Sequence, residues 1–212
     1  MDDRLTELPA RELIERLATS DPVPGGGSAS ALAGAMGAAL VQMVVALTTG
    51  RPAAAEAEND LTEIAASALA LQSDLLRLTE VDAAAYDAVV RARRLPRGTA
   101  LEQRARTLQV GAATREATLA PLEALRQGAA LLTLVERLAP IASRHAISDV
   151  GVAALLTATA MRGAAMNVRI NLPHLPDTDD LAEQAAAEVD ELLVSLDDRL
   201  STVEGIVAER MA

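Results

Sequence analysis

The amino-acid sequence predicts an all-α protein, a single-domain bundle of up-and-down helices over residues 1–212. Alanine dominates the composition, and alanine and leucine with charged residues at intervals favour helix. The chain has no Phe and no Trp, and Tyr86 is its single aromatic residue, so residues that stabilise sheets are scarce. A chain of 212 residues is long enough to bury one sizeable core.

Apolar periodicity and helix-breaking residues divide the chain into successive helices. We expect helices over 6–19, 28–49, 53–79, 82–94, 100–139, 149–171 and 178–210, with the junction at 79–82 left open. Thr99 and Glu102 have the spacing of a capping box, and Ser148 is placed to cap the following helix. Pro121 is expected to kink or divide the helix over 100–139.

The segment around residues 20–50 predicts a ligand-binding helix start. Pro22 and Pro24 precede the glycines Gly25, Gly26 and Gly27, whose backbone can take positive φ or approach another group closely. Ser28 is a good N-cap for the apolar helix that follows, so the loop would present free N–H groups to an anion or polar ligand. The alternative is a plain glycine-rich turn before a buried helix.

Charge and composition exclude several classes of function. The formal charge of −11 makes nucleic acid an unexpected partner. The absence of cysteine excludes disulfides, thiol nucleophiles and thiolate metal sites, and His145 and His174 lack the spacing of a helical zinc motif, so no metal is expected. The N-terminus does not resemble a signal peptide, which makes a cytoplasmic location the default.

A membrane span is the alternative for one segment, because no charge occurs between Asp21 and Arg51. Its Ala and Gly residues drive insertion weakly, however, and no Trp or Tyr flanks it. We therefore expect a central helix buried in the bundle and no membrane partner.

Two further stretches carry candidate polar groups. Asp149, Asn167 and Asn171 fall near one line of the helix over 149–171, but Asp149 and Asn167 are separated by about 27 Å of helix. They could bind opposite ends of a long ligand, serve different sites, or only satisfy helix ends and neighbouring helices. Asp82 shares a stripe with Tyr86, and an Asp at a helix start is most often structural.

Four motifs in order give the chain a family resemblance. They are Asp21-Pro-Val-Pro-Gly-Gly-Gly-Ser28 with Leu47-Thr-Thr-Gly50, Asp82 to Tyr86, Leu95-Pro96, and Ser148-Asp-Val-Gly-Val-Ala153 continuing to Asn167-Val-Arg-Ile-Asn-Leu172. Together they resemble the cyclodeaminase domain of formiminotransferase-cyclodeaminase, which also occurs alone as a bacterial methenyltetrahydrofolate cyclohydrolase. The resemblance covers nearly the whole chain.

The resemblance implies an all-helical homodimer that binds a tetrahydrofolate derivative and acts on the one-carbon unit bridging N5 and N10, without a metal or redox cofactor. It implies catalytic roles for Asp82, in acid–base work, and for Asp149, which with Ser148 could bind the pterin edge. It also implies a set of substrate-binding residues: Pro24, Gly25, Gly26, Gly27 and Ser28 against the folate, Arg94 or Arg97 on the glutamate tail, and Asn167 and Asn171.

The chain departs from the family where relatives commonly carry lysine, since Arg51 and Arg97 stand there and arginine is a poor proton donor near neutrality. Both family reactions remain open, with a slight preference for the cyclodeaminase: a cyclodeaminase closes the ring with loss of ammonia, and a cyclohydrolase opens it with water. The alternative from another class is a non-catalytic helical dimer that binds folate or a protein partner.

Overall fold

The computed structural model describes residues 4–176 and 179–212, and helices dominate both segments. Short 3₁₀ turns link several of the helices. The α-helices in the described residues are α1 (Ala10–Leu17), α2 (Gly26–Thr48), α3 (Glu58–Arg93), α4 (Ala100–Leu138), α5 (Ile147–Asn171), α6 (Leu181–Leu193) and α7 (Leu196–Met211).

Helices α2 to α5 form an up-and-down bundle in which α2 and α4 each pack against both α3 and α5. Contacts at the two ends of the bundle give the alternating direction. At one end Asn171, the last residue of α5, reaches Ala117 of α4, and at the other the N–H of Ser143 donates to Thr48 at the end of α2. Helix α7 covers α5, and α6 lies against α4 and α5. The predicted all-α bundle is confirmed.

The core is built from small aliphatic residues, which lets the helix backbones approach closely. A Cβ added at Gly34 of α2 would lie 3.1 Å from Leu75 of α3 and 3.2 Å from Ala160 of α5, so the three helices meet at that glycine. The largest fully buried side chains include Leu61, Ile64, Leu75, Leu122, Leu125, Leu131, Leu132, Leu138 and Met161.

Helix α2 lies at the centre of the bundle but keeps one face open. Its mean hydropathy of 1.9 and its length of 23 residues would suffice for a membrane span, and half of the most apolar stretch is buried by protein. The exposed face carries Met36, Met43 and Leu47, with partly buried Leu40 between them. These residues recur at helical spacing, so they form a continuous apolar strip, which we call the α2 strip.

Several predicted boundaries are wrong for identifiable reasons. Ser28 does not cap α2, because Gly25 occupies the N-cap position and the Ser28 hydroxyl bonds Asp82 instead. Ser148 lies inside α5, which begins at Ile147. Residues 52–57 form a 3₁₀ turn ahead of α3. Helix α1 begins only at Ala10, with Pro9 at its N-cap, and Thr6 lies in a separate 3₁₀ turn that bonds Glu80.

The two longest helices run without the breaks that were considered. Helix α3 continues through residues 79–82, which places Asp82 in its interior and not at a helix start. Helix α4 passes through Pro121 undivided, and its Thr99–Glu102 capping box is confirmed. The helix predicted over 178–210 is instead two helices that separate at Val194 and Ser195, and its first residue lies outside the described residues.

Candidate functional site

A small cleft opens where the start of α2, the second half of α3, the middle of α4 and the end of α5 meet. Its volume is about 120 Å³, large enough for one end of an organic ligand but not for a whole tetrahydrofolate. Polar groups from three helices line it, between an aromatic ring and the glycine loop. The lining residues are Pro22, Val23, Gly25, Gly26, Gly27, Asp82, Tyr86, Ala117, Asn167, Ile170 and Asn171.

Asp82 is the ionisable group of this cleft, and the first turn of α2 holds it in place. The Ser28 hydroxyl donates to Asp82 Oδ2 at 3.0 Å. The backbone of α2 comes so close that a Cβ added at Gly27 would lie 2.2 Å from Asp82 Oδ1. Gly27 is therefore required for close approach, whereas the predicted positive φ is absent: Gly50 is the glycine with positive φ among the described residues.

The surroundings raise the pKa of Asp82 above the usual value of an aspartate. Burial is the main cause, because it removes water from the charged form, and the hydrogen bonds from the Ser28 hydroxyl and backbone N–H partly oppose it. A carboxyl group with a raised pKa in a cleft is suited to proton transfer near neutral pH.

Two asparagines from the last turns of α5 supply the other polar atoms. The side-chain N–H of Asn167 donates to Gly163 O at 2.8 Å, and that of Asn171 donates across to Ala117 O of α4, also at 2.8 Å. Both side-chain NH₂ groups are thus directed at backbone carbonyls. Their Oδ1 atoms remain as acceptors for a ligand.

The structure brings together part of the predicted site. Gly25, Gly26, Gly27, Asn167 and Asn171 line the same cleft as Asp82, and Ser28 bonds Asp82 directly. Pro24 is buried and lines a neighbouring cavity of about 500 Å³ on the other side of the loop, together with Ala83 and Asp87.

Ser148 and Asp149 lie elsewhere. They occupy the first turn of α5, about 27 Å along the helix axis from Asn167, and neither lines the cleft of its own chain. The predicted arrangement of Asp149 and Asn167 at opposite ends of one helix is therefore what the structure shows. A cavity of about 590 Å³ lies at that end of the bundle, lined in part by Arg51, His145 and Arg210.

Arg94 and Arg97 lie on the exposed connection between α3 and α4. Residues 91–106 contain six arginines and one glutamate, which makes this hairpin basic in a chain of net charge −11. Within the described residues Arg94 and Arg97 have no carboxylate partner. A groove of about 480 Å³ runs towards them between α3 and α4, past Ala88, Ala92 and Leu95.

Sequence reasoning did not name five of the cleft residues as site residues: Pro22, Val23, Tyr86, Ala117 and Ile170. Tyr86 had a signal, because it lies one helical turn after Asp82, and that spacing places both side chains on one face of α3. Ile170 lies within the quoted Asn167–Leu172 motif, whereas Ala117 had no signal, since it enters the site only through helix packing. Among the described residues no three His, Asp or Glu side chains converge on a possible metal site.

Comparison with known proteins gives consistent relatives. The sequence model of the formiminotransferase-cyclodeaminase family matches residues 9–191. The methenyltetrahydrofolate cyclohydrolase of Methylorubrum extorquens is 38% identical over 196 residues, covering 92% of this chain and 87% of that protein. The formimidoyltransferase-cyclodeaminase of Sus scrofa is 31% identical over 99% of this chain, which spans 38% of the animal protein.

A solved structure has the same fold. The formiminotetrahydrofolate cyclodeaminase of Thermotoga maritima superposes with a TM-score of 0.78 at 24% identity, covering 97% of this chain and 96% of that one. At this identity the match establishes the shared helical architecture.

Proposed function

Because this chain belongs to the formiminotransferase-cyclodeaminase family, we propose that it acts on the carbon bridging N5 and N10 of tetrahydrofolate. The favoured reaction is that of a methenyltetrahydrofolate cyclohydrolase, since the relative of that name matches most of both chains. The observation that carries the proposal within the structure is Asp82, a partly buried carboxyl group with a raised pKa in a cleft of about 120 Å³.

Asp82 supplies the proton transfers that the reaction needs. The oxygen of a water molecule attacks the methenyl carbon while ionised Asp82 takes a proton from that water. The product is a neutral tetrahedral carbon between N5 and N10. Protonated Asp82 then returns that proton to N5 as the bond from carbon to N5 breaks. The hydroxyl proton is released, and the carbon remains on N10 as a formyl group. The carboxylate also favours binding of the cationic substrate.

The second candidate is the cyclodeaminase reaction, which the animal relatives support. Here N10 attacks the formimino carbon on N5, and ammonia leaves after a proton reaches its nitrogen. Both reactions pass through a tetrahedral carbon between two nitrogens, so the same carboxyl group serves either one. The non-catalytic folate-binding dimer is not favoured by these relatives.

The basic hairpin gives the glutamate end of the substrate a place to bind. Arg94 lies about 18 Å along the axis of α3 from Asp82. We propose that the one-carbon end of the folate binds beside Asp82 and that Arg94 and Arg97 meet its glutamate carboxylates. Two arginines with no carboxylate partner in the described residues support this orientation.

We also propose a homodimer formed through the α2 strip. A two-fold axis perpendicular to α2 would set the two α2 helices antiparallel, so the start of α5 in one protomer would lie beside the cleft of the other. In such a dimer Ser148 and Asp149 would contact the folate bound by the partner protomer. They could not contact the folate of their own chain, because they lie about 27 Å from Asn167 along α5.

One experiment tests the reaction with two substrates. The purified protein is incubated with 5,10-methenyltetrahydrofolate and, separately, with 5-formiminotetrahydrofolate, and the near-ultraviolet absorbance of the methenyl cation is followed. We expect the absorbance to disappear from the first faster than in buffer alone. Its appearance from the second, with ammonia release, would assign the cyclodeaminase. Activity with neither substrate would overturn the proposed enzyme.

A further inference from the structure

Pro121 changes the hydrogen bonding of α4 at one carbonyl that lies in the cleft. In a regular helix the N–H of residue 121 would donate to the carbonyl of Ala117, four residues earlier, but proline has no N–H. Helix α4 nevertheless continues from Ala100 to Leu138, with Pro121 buried in its interior. The carbonyl of Ala117 is therefore left without its helical donor, at a position that lines the cleft.

Asn171 supplies the missing donor from another helix. Its side-chain N–H donates to Ala117 O at 2.8 Å, and the two residues are 54 positions apart in sequence. Because a carbonyl oxygen only accepts, this bond fixes which end of the amide faces α4: the NH₂ group must point at Ala117. The Oδ1 atom has no protein partner among the described residues, and Asn171 lines the cleft.

We infer that Pro121 is a positioning residue for the substrate, acting through Asn171. Because Pro121 has no N–H to donate to Ala117 O, that carbonyl accepts from the Asn171 amide instead. This bond directs Asn171 Oδ1 to the ligand. The Asn167 amide is also held by a backbone carbonyl, Gly163 O of its own helix. With the Asp82 carboxylate, the cleft presents three oxygen acceptors, which suits the donor-bearing or cationic end of a folate. This inference rests on the proposed function.

If Pro121 served only the stability of α4, Pro121→Ala would change the melting temperature and leave kcat/KM unchanged. Alanine is the better helix former, so Pro121→Ala should leave the melting temperature unchanged or raise it. The restored N–H would donate to Ala117 O and compete with Asn171. We expect kcat/KM to fall about 3- to 10-fold, the effect of one hydrogen bond, while stability does not fall. Pro52→Ala, at an exposed turn away from the cleft, serves as the control.

A double-mutant cycle shows whether the effect passes through Asn171. Pro121→Ala, Asn171→Ala and the double variant are compared for kcat/KM. We expect Pro121→Ala to cost activity in the wild-type background and to cost nothing further once Asn171 is alanine. Equal losses in both backgrounds, or no loss from Pro121→Ala, would overturn the inference. A wild-type chain inactive with both folate substrates would instead overturn the proposed function.

A second measurement does not depend on turnover. Solvent exchange of the Asn171 side-chain NH₂ is followed by ¹H–¹⁵N NMR, with the resonance assigned by its loss in Asn171→Asp. We expect slow exchange in the wild type and faster exchange in Pro121→Ala, since the amide then shares its acceptor. Exchange that is the same in both proteins would show that Pro121 does not hold Asn171.

Discussion

Asp82 is held in an environment that opposes its charge, and hydrogen bonds from Ser28 compensate in part. Burial raises its pKa, while the hydroxyl and backbone N–H of Ser28 lower it. A folded-state pKa above the unfolded value means that the group's contribution to stability is lost as pH rises through the folded pKa. At neutral pH the ionised carboxylate therefore costs stability, as is common for groups retained for chemistry.

Asp82→Asn should separate activity from stability. We expect kcat to fall at least about 100-fold, because the variant has no group to exchange protons with water and N5. The melting temperature at neutral pH should stay the same or rise, because the amide carries no charge to desolvate. Asp87→Asn is the matched control on the same helix, since Asp87 forms an exposed ion pair with Arg91. Full turnover by Asp82→Asn would remove Asp82 from the mechanism.

The pH profile should report the same residue. If ionised Asp82 is the base, kcat/KM falls as pH drops through its pKa, and the acid limb lies above that of an ordinary aspartate. Ser28→Ala removes a hydrogen bond that lowers this pKa, so the acid limb should move to higher pH. The measurement is kcat/KM against pH for both proteins. If Ser28→Ala does not move the acid limb of the kcat/KM profile, that limb reports the titration of a group other than Asp82.

At the scale of elements, the packing of α2 on α3 depends on Gly27. A methyl group there would overlap the Asp82 carboxylate, so Gly27→Ala must separate the helices or turn Asp82 away. We expect a loss of about 1–3 kcal/mol, a melting temperature lower by about 3–10 °C, and little remaining activity. Gly205→Ala is the control: its added methyl meets open space in α7, and it should stabilise the protein by up to about 1 kcal/mol.

Thermal melting and steady-state kinetics of these two variants test the packing argument. A Gly27→Ala protein that melts and turns over like the wild type would show that α2 and α3 tolerate separation at this point. The Gly205→Ala protein reports the effect of replacing a helical glycine where packing does not interfere.

The sequence was sufficient for helices whose ends are set by local chemistry. The Thr99–Glu102 capping box was recognisable because each partner lies three residues from the other. The start of α2 was misplaced because the Ser28 hydroxyl bonds Asp82, 54 residues away, instead of capping its own helix. The break at Val194 and Ser195 carries neither Gly nor Pro, so no breaker residue marks it.

The site was predictable where a polar residue stood out from its helix and not where packing created it. Asn167 and Asn171 were visible as polar groups on an otherwise apolar helix, and Asp82 was singled out by the family resemblance. The structure brings all three to one cleft. Ala117 became a cleft residue only because α4 crosses the end of α5. Asp149 shares the helical line of Asn167 but lies at the far end of α5, since periodicity gives direction around a helix and says nothing of distance along it.

At the scale of the whole molecule, charge is distributed unevenly along the proposed substrate path. The chain carries −11 overall, yet the hairpin beyond the cleft is basic. We expect Arg94→Ser with Arg97→Ser to raise KM about 3- to 10-fold with kcat nearly unchanged, because these side chains bind substrate far from the reacting carbon. Arg162→Ser is the control, because Arg162 is an exposed arginine of α5 that forms an ion pair with Asp197 of α7. An unchanged KM in the double variant would place the glutamate tail elsewhere.

The proposed dimer predicts that inactive variants can restore each other. We expect Asp149→Asn, like Asp82→Asn, to be impaired. If each site combines Asp82 of one protomer with Asp149 of the other, a mixed dimer contains one complete site and one doubly altered site. Random exchange makes half of the dimers mixed, so activity should recover to roughly a quarter of the wild-type value. Sites contained in one chain would show no recovery.

Two controls make the recovery interpretable. Asp82→Asn mixed with the double variant Asp82→Asn/Asp149→Asn contains no intact Asp82, so it should stay inactive whatever dimers form. Met36→Glu places a charge on the α2 strip and should reduce the mass in solution from twice the chain mass of 22.0 kDa to that mass itself. Leu101→Glu, on the exposed start of α4, should leave the dimer intact. Recovery that persists with monomeric Met36→Glu versions of both variants would rule out the α2 strip as the surface that brings Asp149 to Asp82.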